Sequence, residues 1–250
     1  MMKVRNIFPV FFVILFIGCT YPAAEFDPVS EVEISVKGRY IQLEPLETEP
    51  STCFVFYPGG LVDPEAYVSL MQQVAEKGYR VIILKATADL AIFNTKRASK
   101  VMEEFSDIDH WIVGGHSLGG VVAIKAIVDA PQKFDGLVLF AAYPAKKDDL
   151  SEWSGAALSV SAENDGLTLA SDIENGKEQL AEAIVVDNLD SFPLDVTSGK
   201  TIYYEIPGGI HGQFGDYGVQ KGDGIASITR QEQHDEIVRI LELFFVANAW

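Results

Sequence analysis

Cysteine is nearly absent from this chain: Cys19 and Cys53 are the only two in 250 residues. That count excludes a disulfide-stapled scaffold. No Cys-x-x-Cys pair or Cys/His spacing suited to zinc is present. Basic residues are scarce as well. Nineteen Lys and Arg face 36 Asp and Glu, a net charge of −17. A surface of that sign repels phosphate backbones, which argues against nucleic acid as a partner; the charge reads as a solvated surface. Histidine occurs four times, which narrows any chemistry that needs an imidazole. There is no internal repeat and no low-complexity segment. What the chain does have is apolar material, 48% of residues with 11% aromatic. That is enough for one sizeable core, and the length suits one α/β domain or two small ones.

The N-terminus combines Lys3 and Arg5, an apolar stretch from Ile7 to Ile17, and Gly18-Cys19. This is the layout of an export signal, and the stretch is well short of the ~20 residues a spanning helix needs. Cleavage before Cys19 resembles the processing of a bacterial lipoprotein, in which Cys19 receives the lipid. Phe16 stands where such signals usually carry Leu. The expected organisation is therefore a signal peptide over 1–18, a lipid-anchored tether over 19–30, and one domain over 31–250. That domain is expected outside the cytoplasm, held at a membrane in the periplasm or on the cell surface. The tether assignment rests on Pro22, Pro28 and the lack of any strand or helix period.

Downstream, short apolar runs alternate with longer helical patterns. Val32 to Val36 and Tyr40 to Leu43 predict a starting hairpin. Strands are expected at Cys53–Tyr57, Tyr79–Leu84, Trp111–Val113, Leu137–Phe140, Ala157–Ser161 and Ile202–Ile206. Helices are expected at Pro64–Lys77, Ala91–Phe105, Leu118–Asp129, Leu167–Ala183 and Gln231–Val246. Strands separated by helices of 10–15 residues imply an α/β fold: a mostly parallel sheet with helices on both faces. Ligands of such sheets bind at the carboxyl ends of the strands.

One strand-to-helix loop there reads Gly115-His116-Ser117-Leu118-Gly119. Glycines two before and two after a serine let the backbone make a sharp turn that lifts the hydroxyl above the sheet. The same turn aims the N-terminus of the following helix at that hydroxyl. Ser117 is thus a candidate nucleophile, and it needs a histidine base steadied by a carboxylate. His110 precedes a strand and lies at the wrong end of the sheet. His116 sits on the turn itself, with its side chain expected to point away. His234 falls in the last helical pattern and is expected at the surface. His211, in the glycine-flanked loop after Ile202–Ile206, is the candidate base. The acid should follow another strand, and Ala162-Glu163-Asn164-Asp165-Gly166 supplies two carboxylates. Asp165 is preferred, with Glu163 as the alternative. An oxyanion hole is expected from the N–H of Leu118 and that of Gly60 in Tyr57-Pro58-Gly59-Gly60, with Leu61 close behind.

With these residues in place the chain resembles an α/β-hydrolase. It is similar to the small lidless branch described as dienelactone-hydrolase-like, over about residues 52 to 246. The resemblance rests on the Pro58-Gly59-Gly60 loop, the Gly-His-Ser-Leu-Gly-Gly turn, Asn164-Asp165-Gly166 and His211 with Gln213-Phe214-Gly215. It implies a Ser117–His211–Asp165 triad without cofactor. Dienelactone hydrolases proper use a cysteine where this chain has Ser117, which argues against dienelactones as substrate. About 14 residues separate the strand ending near Ala142 from the next, too few for a cap domain. An open site is expected, bordered by Tyr57, Tyr143, Trp153 and Phe214 and suited to small-molecule esters. Two rivals stay open: thioesterase, amidase, peptidase or acyltransferase chemistry on the same fold, and a surface lipoprotein that only binds ligand. The sequence does not determine an oligomeric state.

Overall fold

The computed structural model describes residues 21–85, 96–194 and 198–250. Cys19 and the signal segment lie outside the described residues. The described elements run β1 (Val32–Val36), β2 (Tyr40–Pro45), β3 (Thr52–Tyr57), α1 (Val68–Ala75), β4 (Arg80–Leu84), α2 (Arg97–Met102), β5 (His110–His116) and α3 (Leu118–Asp129). They continue with β6 (Gly136–Phe140), β7 (Ala156–Ala162), α4 (Ala170–Gly176), β8 (Glu182–Val186), β9 (Lys200–Ile206) and α5 (Arg230–Ala247). The strands form one sheet in the order β1-β2-β4-β3-β5-β6-β7-β9-β8. The hairpin joins antiparallel, through β2 against β4; from β4 to β8 all pairs are parallel.

Strict alternation along the strands splits the core in two. Phe54, Phe56, Val81, Ile83, Val138 and Phe140 face α1 and α5. Cys53, Val55, Ile82, Leu84, Leu137 and Leu139 face α2, α3 and α4. A strand buried on both faces must be apolar throughout, which is why β3, β4 and β6 carry so few polar residues. Each fully buried Phe or Leu side chain contributes about 2–3 kcal/mol of transfer free energy. Chain order reverses at β3: β4 lies on one side of it and β5 on the other. The crevice at the carboxyl ends of β3 and β5 is therefore the place where such sheets hold ligands.

The predicted α3 matches its observed span. The predicted helix at Ala91–Phe105 is observed as α2 only over Arg97–Met102, its first residues lying outside the described ones. The expected helix at Leu167–Ala183 is corrected: α4 ends at Gly176, and an edge strand, β8, begins at Glu182. The Ile184-Val185-Val186 run explains this, because β-branched side chains favour a pleated surface. Within the stretch expected as a tether, Tyr21 pairs with Val62 and Ala23 with Tyr217, so residues 21–23 lie on the domain.

Candidate active site

The turn after β5 is built by backbone sterics. Ser117 has φ 52° and ψ −121°, a conformation that costs a non-glycine residue about 1–3 kcal/mol. Its N–H donates to the Phe140 carbonyl at 2.9 Å, and its own carbonyl accepts from Gly120 at 3.0 Å. A Cβ on Gly115 would stand 2.4 Å from the Gly119 carbonyl carbon, and one on Gly119 2.1 Å from the Tyr57 oxygen. These two positions tolerate no side chain. The Ser117 side chain makes no cap bond to α3, and the amides of Leu118 and Gly119, unbonded among the described residues, stay open for an anion. Leu61 (φ 63°) and Ala141 (φ 45°) are also left-handed, at the ends of β3 and β6. Strained backbone thus gathers at this edge of the sheet.

His211 and Asp165 come together across two loops. His211 Nδ1 lies 2.8 Å from Asp165 Oδ2, and both side chains are only 1% exposed. The other carboxylate oxygen, Oδ1, accepts from the amides of Leu167 and Thr168, each at 2.7 Å. Glu163 is committed elsewhere, its carboxylate accepting from the Gly208 amide at 2.8 Å. Of the two carboxylates left open by the sequence, Asp165 is the one that meets His211. In the loop after β3, the Gly59 amide donates to the Tyr67 hydroxyl and the Val62 amide to the Gly59 carbonyl. The Gly60 and Leu61 amides carry no hydrogen bond among the described residues. Gly60 lies against Leu118, with a Cβ there 3.1 Å from Leu118 Cδ2. The two amides expected to form the oxyanion hole therefore belong to neighbouring residues.

Three other expectations need correction. His116 does not point away from the site. Its ring centroid is 4.4 Å from that of His211, it stacks on Phe214, and Nδ1 shares a 2.8 Å hydrogen bond with the Tyr67 hydroxyl. Burial first, and then the neighbouring imidazole of His211, hold His116 well below the ordinary histidine range, so it stays neutral. His234 is buried, not exposed. Burial brings its pKa down to about 4. Of the four aromatics expected around the site, only Tyr143 is exposed. The Tyr57 hydroxyl accepts from the Ala98 amide inside the core, and Phe214 is fully buried. Trp153 Nε1 donates to the Pro131 carbonyl at the opposite edge of the sheet. Large aromatics beside a glycine loop look alike in sequence whether they line a cleft or fill a core.

Two supporting residues were not visible in the sequence. Asp223 accepts from His211 N at 3.2 Å, Gly212 N at 2.6 Å, Gly224 N at 2.8 Å and Gly166 N at 3.4 Å. It thereby ties the His211 loop to the Asp165 turn. Gln233, fully buried in α5, holds both the amide and the carbonyl of Ile210 at 3.0 Å. The only sequence signal for Asp223 is its place in Gly222-Asp223-Gly224.

The parallel sheet order and the strained turn after β5 are features of the fold, and similarity to known proteins agrees with that fold. The family model for the alpha/beta hydrolase family matches residues 53–191 and 194–235. The chain belongs to that family, and it is a hydrolase. Among solved structures it resembles the hyperthermophilic esterase from the archaeon Pyrobaculum calidifontis, at 16% identity and a TM-score of 0.60, covering 89% of this chain and 87% of that one. It resembles a protein from Thermoplasma acidophilum described as a predicted CIB-like hydrolase, at 17% identity and a TM-score of 0.54, covering 87% and 97%. An arylesterase matches at 15% identity and a TM-score of 0.59, covering 91% and 87%. At such identities the likeness shows the fold. No curated protein sequence matches the chain.

Proposed function

We propose that this hydrolase is a carboxylesterase acting through a Ser117–His211–Asp165 triad and an acyl-enzyme. The observation that carries the reading is the buried 2.8 Å bond between His211 Nδ1 and Asp165, which fixes the tautomer and leaves Nε2 to take a proton. Ser117 Oγ attacks the ester carbonyl and forms a C–O bond while His211 accepts its proton. The amides of Leu118 and Gly60 stabilise the oxyanion. His211 then returns the proton to the leaving alkoxide, and water, activated by the same imidazole, releases the acid. The esterase titles of the structural neighbours and the short connection from β6 to β7, which holds no cap, support small esters at an open site. That openness, with the residues quoted from the glycine loops, also supports the dienelactone-hydrolase-like branch with a serine in place of cysteine. Thioesters and amides are less favoured, because no observation selects them over esters. We further infer that Cys19 carries a lipid that holds the enzyme outside the cytoplasm at a bacterial membrane, on the strength of the N-terminal pattern. A panel of p-nitrophenyl esters, thioesters and anilides tests the reaction class. Ester turnover that disappears in Ser117→Ala is expected; equal turnover by Ser117→Ala contradicts the assignment.

A further inference from the structure

The chain enters the domain beside the active site. The Tyr21 amide donates to the Leu61 carbonyl at 2.6 Å, and the Asp63 amide donates to the Tyr21 carbonyl at 2.9 Å. The Ala24 amide donates to the Asp216 carbonyl at 2.8 Å, and the Tyr21 ring packs on Tyr217 with centroids 5.7 Å apart. Residues 21–24 thus bridge the loop that carries Gly60 and the loop that carries His211. Tyr21, the first described residue, is therefore at this edge of the sheet, and an anchor on the chain that precedes it joins the domain here.

The loops of this edge expose several apolar side chains, while Leu46 and Leu194 are exposed on other loops. Tyr143 follows β6, Leu167 and Leu169 follow β7, and Val219 and Ile225 follow β9; all are exposed. Val219 and Ile225 stand out at 95% and 88%. Val219 lies between Tyr217 and Asp223, and Ile225 lies two residues beyond Asp223. Leaving such residues in water gains nothing, and a bilayer interface is the surroundings that suit them. The acidic net charge favours neutral over anionic headgroups.

We propose that the active-site edge is the membrane-facing surface of this enzyme, and that its substrates are esters resident in or displayed at a neutral bilayer. The proposal rests on the esterase and anchoring readings above and adds the orientation and the source of substrate.

The test uses the full chain reconstituted in phosphatidylcholine vesicles with and without brominated acyl chains. Val219→Trp reports on the active-site edge. Val128→Trp, at the end of α3, reports on the opposite edge. Brominated lipid is expected to quench most of the fluorescence that Val219→Trp adds and to leave that of Val128→Trp unchanged. Equal quenching of both, quenching of Val128→Trp alone, quenching of neither, or recovery of the chain free of vesicles would overturn the proposal. This readout needs no turnover, so it stands apart from failure of the esterase reading, which shows as no hydrolysis of any soluble ester. In parallel, the double variant Val219→Asp/Ile225→Asp should lose about tenfold or more of its activity on a bilayer-resident ester by weakened interfacial contact, with soluble-ester kcat/KM unchanged. Equal activity of variant and parent on both substrates contradicts it, as does a parallel loss on both.

Discussion

The two halves of the site are held in different ways. The Ser117 turn is fixed by what cannot fit: glycines on which a Cβ would meet backbone at 2.1–2.4 Å and a serine forced to positive φ. The His211–Asp165 half is fixed by what is bonded: Asp223, Gln233 and Glu163 each tie loop amides through a side chain. Steric construction is local and leaves a mark in a short motif. Hydrogen-bonded construction reaches across long sequence separations, as from Gln233 to Ile210, and leaves almost none. The contrast predicts that the first half fails as a fold and the second as a catalyst.

Gly119→Ala should have the largest effect. Its Cβ meets two rigid backbone oxygens, so overpacking should cost about 3 kcal/mol or more, and soluble folded protein is expected to be lost. Urea unfolding and expression yield check this, and a folded, fully active variant would break the comparison. On the bonded side, Asp165→Asn should leave the fold intact and lower kcat by about 10³–10⁴, because the histidine tautomer is no longer held. Glu163→Gln keeps an acceptor for Gly208 and should change kcat by no more than a few-fold. Asp223→Ala is expected to lower kcat by about 10², through displacement of His211, with KM little changed. Asp223→Asn, which retains one acceptor oxygen, should fall between it and the parent.

A stability prediction follows from His234. Its folded pKa, about 4, is below its ordinary unfolded value near 6.5. Below about pH 6.5 the unfolded chain takes up this proton more readily than the folded one. Stability is therefore lost as pH falls from about 6.5 towards 4, by at most about 3 kcal/mol from this group. Buried His116 adds a loss of the same sign. Unfolding of His234→Phe between pH 4 and 7 should show a shallower dependence on pH than the parent, whatever its stability at pH 7.

The smallest effect separates strain at the site from strain elsewhere. Ala249 is left-handed, φ 57°, in the turn that closes α5. Trp250 N–H bonds the Phe245 carbonyl there and Ala249 N–H that of Val246, the pattern that prefers glycine at this position. Ala249→Gly should raise stability by up to about 1 kcal/mol with kcat unchanged. Ser117→Gly, which relieves similar strain in the turn, should stabilise the fold while abolishing turnover.

Much of the fold was legible because period and punctuation agree. The Leu118–Asp129 helix is apolar at helical spacing after a glycine turn, and β3, β4 and β6 are short runs bounded by turn residues. Strand β8 was not legible, because its alternation is weak on an exposed edge and the lone Gly176 before it does not interrupt the apparent helical pattern. At the candidate site, Ser117, His211, Asp165 and Gly60 are legible because each sits in or beside a glycine-rich loop after a strand. The neighbourhood of His116 is not legible because its direction depends on Tyr67 and Phe214, which only tertiary packing brings near. Asp223 and Gln233 act through backbone amides far from them in the chain, and no spacing rule marks such pairs.

The central claim is that Ser117 is the nucleophile and His211, held by Asp165, its base. Labelling the full chain with a fluorophosphonate and mapping the adduct by mass spectrometry tests it most directly. A single adduct on Ser117 is expected, absent in Ser117→Ala and formed far more slowly in His211→Ala. An adduct on another residue, or unchanged labelling of His211→Ala, would contradict it.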